Sequence, residues 1–307
     1  MLTSFFSSSK PIHVIIVICF MTLGFILAQI DVVTATTSWP EMLQMLGMWL
    51  VYIAAMFVLN FIVQKNDLTK RNTYRILLFA AFTAALPMAL IRFEILLSGF
   101  FILLAIRRII SLRSGLAIER KLFDASFWIA IASLFYFWAI LFYLVLFLAI
   151  VYYVSYAIRY WLIPLVGAGC VAILASCYLL YREDGAALLL GYLDGISFDF
   201  KAFNSPKLLV ATAFFTGIFL WSVINYVKEM QKATLKARSV YVLVLAFTII
   251  AMVIVILNTQ KTGGALYFLI PMLSVIVTTY IERAKGQVFK EALLWLIVLL
   301  PFAIYVL

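Results

Sequence analysis

The sequence predicts an all-α polytopic transmembrane protein, a single domain over residues 1–307 with about eleven membrane-crossing helices, several of them short and paired as hairpins. Three observations predict it. Apolar residues make up 67% of the chain and charged residues 12%, with a mean hydropathy of +1.16. Soluble domains are nearer half apolar and a quarter charged, and a water-soluble fold has no interior large enough to hide this much hydrocarbon. The apolar residues also fall in runs of roughly 20, the length that spans a hydrocarbon core of ~30 Å. The basic residues fall between those runs, mostly towards one side.

The first run, Ile12–Ile30, follows Met1–Lys10. It spans a membrane and lacks a small-residue cleavage site after it, so it reads as a retained helix and not as a signal peptide. Leu43–Val63 forms the second crossing. Tyr74–Ile106 is too long for one crossing and is broken by Pro87, Arg92 and Glu94; a hairpin there brings both charges to the surface. Ala125–Ile158 carries no charge, and as one helix would extend roughly 50 Å. It reads as two short helices turning near Tyr136, Phe137 and Trp138, aromatics suited to the membrane interface. Tyr160–Tyr181, Leu208–Val227, Val240–Leu257, Ala265–Ile281 and Ala292–Leu307 are single crossings.

Charge placement tests the two hairpins. With both runs split, one side of the membrane holds Lys10, the basic residues of 65–75, 107–121 and 228–238, Arg159, Arg283, Lys285 and Lys290, which is 18 of the 23. The other side holds Arg92, Arg182, Lys201, Lys207 and Lys261. With neither split, the ratio falls to 13 against 10. The excess of Lys and Arg on cytoplasmic loops therefore favours eleven helices, the N-terminus in the cytoplasm and the C-terminus outside. The net charge of +10 then meets anionic lipid headgroups. Membrane lipid is the expected partner, nucleic acid is not needed, and protein partners are not specified by the sequence.

Cys19, Cys170 and Cys177 lie inside apolar runs with no CxxC spacing, which argues against a disulfide frame or a zinc site and for buried small hydrophobes. His13 is the single histidine and reads as an interfacial residue. One histidine excludes multi-histidine metal centres and paired-haem cytochromes. No metal site or cofactor is expected. Pro164, Pro271 and Pro301 are expected to interrupt helices.

Candidate functional residues gather on the outer side, which holds Asp31, Glu41, Glu94, Glu183, Asp184, Asp194 and Asp199, seven of the thirteen acids. Asp31 ends the first helix, where partial desolvation suits an acid to proton transfer; the alternative is a helix-end residue reaching water. Glu41 suits a helix N-terminus. Arg92 and Glu94 sit at a hairpin tip, where an arginine can hold a lipid-linked phosphate by two parallel hydrogen bonds. Alternatively the pair only keeps the turn from sinking into lipid. Arg182, with Glu183 and Asp184, opens the external segment Arg182–Lys207, whose stretch Ala186–Leu193 is suited to lie along the interface. Lys261 belongs to a polar turn, Asn258–Gly264, in which Gly263-Gly264 suits a tight bend and phosphate cradling is the other reading.

Leu77–Ser111 reads LLFAAFTAALPMALIRFEILLSGFFILLAIRRIIS, and Leu122–Val151 reads LFDASFWIAIASLFYFWAILFYLVLFLAIV. Together they resemble the core of membrane glycosyltransferases of the GT-C class. In that class a helix ends in a proline, an acidic residue follows at the outer surface, and a helix returns to a basic loop. A hairpin with a small-residue pattern comes next, here Ile129–Leu134. The whole chain, above all MLTSFFSSSKPI at the start and YWLIPLVG at Tyr160–Gly167, resembles an uncharacterised family of polytopic Bacteroidota membrane proteins. Some members carry a carotene-monooxygenase label, which conflicts with the single histidine here.

The GT-C resemblance implies sugar transfer from a polyprenyl-phosphate-linked donor at the outer face of a bacterial inner membrane. Asp31 would match the catalytic acid, Glu94 the acid of the return hairpin, and Arg92 the phosphate contact, with Arg182 and Lys261 as further substrate-binding candidates. The chain departs from the class in its short first external segment, Asp31–Gln44, and in lacking the acidic pair. The alternative, from a different functional class, is a non-catalytic subunit or transporter of a cell-envelope assembly system. A cavity lined by Asp31, Arg92 and Glu94 and open to lipid would mark the enzyme, a through-path the transporter, and a closed bundle with those residues scattered the subunit.

Overall fold

The computed structural model describes residues 1–30, 32–33, 38–154, 157–182, 185, 192, 194–284 and 286–307. Among the described residues the regular structure is helical throughout. The helices are α1 Leu2–Phe6, α2 Pro11–Gln29, α3 Trp39–Lys65, α4 Tyr74–Ala84, α5 Pro87–Leu90, α6 Phe93–Ser111 and α7 Ile118–Phe135. They continue with α8 Tyr143–Tyr153, α9 Ile158–Tyr181, α10 Pro206–Lys232, α11 Leu235–Leu257, α12 Ile270–Arg283 and α13 Gln287–Val306. Seven segments are long and apolar enough to cross a membrane: Pro11–Gln29, Trp39–Lys65, Phe93–Ser114, Ile158–Tyr181, Pro206–Lys232, Ala237–Leu257 and Gln287–Val306. The chain is a multi-pass membrane protein.

Both overlong runs break. The first bends at Ala85–Leu86 and again at Ile91–Arg92, around the four-residue α5. The second breaks at Tyr136, whose backbone is extended, and continues as a tighter helical stretch over Phe137–Phe142 before α8. The stretch Ala265–Ile281, expected as one helix, is instead a 3-10 segment, Gly264–Phe268, followed by α12. Its cause is local: Gly263 turns the chain through a left-handed conformation at φ +80°, open to a glycine without strain, and Pro271 sits in the first turn of α12. Pro164 and Pro301, expected to interrupt helices, lie inside α9 and α13, which run on through them.

The centre of the bundle is built from short helices. Every residue from 72 to 86 and from 263 to 281 is buried. Helix α4 packs on α12 and is enclosed by α2, α3 and α13. Alone it rises only about 16 Å, roughly half of a hydrocarbon core. In contrast, α9, α10 and α13 leave most of their surface outward, where lipid tails are as apolar as the side chains that meet them.

Packing without a hydrophobic drive relies on small residues and buried hydroxyls. A Cβ on Gly24 would stand 2.9 Å from the Ala84 Cβ, and one on Gly167 would stand 2.7 Å from Ser126 Oγ. Ser126 Oγ donates to the Pro164 carbonyl at 2.5 Å, joining α7 to α9. Tyr52 and Thr83 share a buried hydroxyl contact of 2.5 Å, and Thr83 Oγ1 also donates to the Phe79 carbonyl at 2.7 Å.

Two further expectations are corrected. Cys19 and Cys177 are exposed and Cys170 is half-buried, so they face outward from α2 and α9; in a bilayer protein an apolar run does not distinguish core from lipid contact. His13 is 2% exposed and not interfacial. Its Nδ1–H donates to the Ser8 carbonyl at 2.8 Å, and its ring lies 4.3 Å from that of Phe5 and 5.6 Å from that of Phe6. Glu41 takes its expected place: it completes a capping box with Ser38 at the start of α3, accepting the Ser38 N–H at 2.7 Å. The N-terminal hook formed by α1 is held on α13, where the Glu291 carboxylate accepts the N–H groups of Leu2 (2.5 Å) and Thr3 (3.0 Å).

Candidate functional site

One end of the bundle gathers the turn between α5 and α6, the turn after α11, and the segment leading to α10. Arg92 is the half-buried residue that caps α6, its backbone extended at φ −102°. Its Nη1 donates to Gln260 Oε1 at 2.5 Å, across a sequence separation of 168 residues. The Gln260 turn is shaped by Asn258: the Gln260 N–H donates to Asn258 Oδ1 at 2.7 Å, and Asn258 Nδ2 donates to the Gln260 carbonyl at 2.7 Å. The structure therefore brings Arg92 and the Lys261 turn together. Glu94 lies two residues on, exposed in the first turn of α6, where its charge complements the helix N-terminus.

Lys261 is 5% exposed. Its Nζ donates to the carbonyls of Val255 (3.4 Å) and Ile256, and it lies 4.5 Å from the centroid of the Phe200 ring. Those carbonyls belong to the last turn of α11, so the ammonium caps a helix C-terminus. Burial lowers the Lys261 pKa from the ordinary lysine value. Lys261→Met should cost about 1–2 kcal/mol, the upper range for a cation at a helix C-terminus, read as a lower thermal midpoint of the detergent-solubilised protein. An unchanged midpoint would show that the cap contributes nothing.

The remaining polar groups at this end stitch loops together. Trp138 Nε1 donates to Asp194 Oδ2 at 2.8 Å, and the Tyr192 hydroxyl donates to the Ser133 carbonyl at 2.6 Å. The Ser197 N–H donates to the Leu257 carbonyl at 3.2 Å, and Thr259 Oγ1 donates to the Gly195 carbonyl. Arg182 stands exposed at the end of α9, its N–H on the Tyr178 carbonyl at 3.2 Å. Asp31, Glu183, Asp184 and most of Ala186–Leu193 lie outside the described residues. Among the described residues no group of three or more His, Cys, Asp or Glu side chains is placed to hold a metal ion.

Sequence reasoning singled out Arg92, Glu94 and Lys261 but missed Gln260, the residue that joins two of them. A lone glutamine in a polar turn carries no signal of a partner so far away in the chain. Asp194 and Trp138 were visible separately, one as an outer acid and the other as an interfacial aromatic, and only the fold pairs them.

No curated protein and no solved structure matches the chain. A family model described as a family of unknown function, DUF6427, matches residues 1–306. The chain belongs to that family.

Proposed function

We propose that the protein is a non-catalytic subunit of a cell-envelope assembly system, embedded in a bacterial inner membrane through eleven crossings. In this reading the N-terminus is cytoplasmic and the Arg92–Lys261 end faces out, as the 18-to-5 partition of basic residues favours. The observation that carries the reading is Lys261. Its ammonium is spent on the Val255 and Ile256 carbonyls and the Phe200 ring, which makes the turn a fastening instead of a phosphate cradle. The bonds from Trp138, Tyr192 and Thr259 across the same surface support a closed cap.

A second reading is glycosyl transfer of GT-C type from a polyprenyl-phosphate-linked donor. One observation favours it: Arg92 retains N–H groups beyond the one given to Gln260, and the exposed Glu94 shares its turn. A phosphate contact and an acid would then act side by side, with Asp31 as the base on the acceptor and Arg182 as a further phosphate contact. The test compares lipid-linked sugars and envelope glycans in cells lacking the gene, complemented by wild type, Glu94→Gln or Asp31→Asn. The subunit reading expects both variants to complement as wild type does. Accumulated lipid-linked donor, relieved by wild type but by neither variant, would replace it with the transferase.

A further inference from the structure

The opposite end of the bundle carries two adjoining cavities, of about 530 Å³ and about 480 Å³. They lie where α3 turns into α4 and where α6 turns into α7, and Phe61, Lys65 and Asp67 belong to the walls of both. The first is lined by the cations Lys65, Arg107, Arg108, Arg113 and Lys121, and the second by Lys65, Lys70, Arg71 and Arg75. Asp67 is the carboxylate in each wall, and it holds a left-handed backbone at φ 51°. Some of the charge is already answered. Arg108 pairs with Asp124 at 2.9 Å, and Lys121 Nζ donates to the Ser111 carbonyl (2.7 Å) and to Ser114 Oγ (2.6 Å).

Arg75 is different. It is 1% exposed, among the largest side chains buried in the protein. Its Nε donates to Asn60 Oδ1 at 2.8 Å, and its Nη1 donates to Thr69 Oγ1 and the Lys70 carbonyl, both at 3.3 Å. These neutral partners fix the plane of the guanidinium. Its Nη2 is buried without a hydrogen-bond partner, in a residue that lines the second cavity. Glu282, an acid whose charge bears on Arg75, is engaged elsewhere, accepting the Lys70 N–H (2.9 Å) and Asn72 Nδ2 (2.5 Å). A buried cation held rigidly by neutral groups, with a donor left over, is costly unless an anion completes it.

We propose that these cavities form a binding site for a phosphate group, anchored by the Arg75 guanidinium and surrounded by Lys65, Lys70 and Arg71. A guanidinium fork matches phosphate oxygens in a way an ammonium does not. The surroundings point to a phosphate that arrives on a lipid. The exposed Phe61 ring lies in the shared wall with Arg107 at 4.7 Å and Lys65 at 5.4 Å from its centroid, and Leu116 of the first cavity is exposed. Apolar surface beside clustered cations is the arrangement an anionic headgroup and its acyl chains require. The inference is independent of what the Arg92 end does.

The test uses the purified full-length protein in neutral detergent, titrated separately with phosphatidic acid, with phosphatidylcholine and with inorganic phosphate while thermal unfolding is followed. Wild type should be stabilised by phosphatidic acid, and Arg75→Gln should weaken that binding about tenfold or more. Stabilisation by inorganic phosphate, lost in Arg75→Gln, would assign the site to a free phosphate. Stabilisation by the lipid alone assigns it to a headgroup. Equal binding by wild type and Arg75→Gln would overturn the proposal. If Arg75→Gln does not fold, the exposed pair Lys70→Ala with Arg71→Ala is read instead: several-fold weaker binding supports the site, and unchanged binding overturns it.

Discussion

Gly99→Val should destabilise the protein by about 1–3 kcal/mol, the cost of overpacking a filled interior. Gly99 lies on α6 against the 3-10 segment before α12, and a Cβ there would stand 2.4 Å from Tyr267 Cε1 and 2.8 Å from Cδ1. Tyr267 has no room to withdraw. It is 1% exposed, its ring meets Phe79 edge-on at 6.5 Å, and it belongs to the segment 263–281, buried throughout. The measurement is the fraction of monodisperse protein that survives heating in detergent. Tyr267→Ala should recover part of the loss, so that the double variant falls short of the sum of the two single ones. Gly217→Ala serves as the control, because nothing lies within 4 Å of a Cβ at that position. Full additivity of Gly99→Val and Tyr267→Ala would mean that the two residues do not meet.

Phe142→Ala should be of comparable size, for the opposite reason. The Phe142 ring stacks on Phe247 with centroids 4.5 Å apart and planes 27° from parallel, and it approaches Phe268 at 6.0 Å. All three rings are buried. They tie the turn after α7 to α11 and to the segment before α12. In soluble cores such a truncation costs roughly 3–5 kcal/mol. In lipid the unfolded helices keep their apolar surroundings, so part of the transfer contribution cancels and the void remains; a loss of about 2–3 kcal/mol is expected. Phe142→Leu, which refills most of the space, should lose clearly less. A thermal midpoint for Phe142→Ala equal to wild type would show that the stack is not part of the packed interior.

What could be read from the sequence was whatever interrupts hydrocarbon. Pro87, Arg92 and Glu94 marked the break between α4 and α6, and the aromatics at Tyr136–Trp138 marked the one between α7 and α8, because charge and amphipathic rings have preferred depths in a bilayer. Which apolar helices face protein and which face lipid was not legible. Cys177 on the outside of α9 and the buried Met272 in the first turn of α12 both lie in apolar runs of sequence. The central position of α4 and α12 was hidden for that reason, as was the burial of His13. At the candidate site, Arg92 and Lys261 stood out because they are charges in short polar turns. Their roles did not, since the Gln260 bridge and the carbonyls that hold Lys261 exist only once α6 and α11 are packed.

The hook at the start of the chain has a consequence for biosynthesis. Leu2 and Thr3 are translated long before the carboxylate that holds them, which belongs to Glu291, 289 positions after Leu2. Until that residue is made, the amides of α1 have only water or headgroups to bind, and α4 lacks both α12 and α13. The half-length α4 can rest early on α2 and α3, but its contacts with α12 and α13 wait for segments translated much later. The centre of the bundle is therefore completed late, and chains stalled before α12 should be recognised as unfinished by membrane quality control even though most of their long helices have been made.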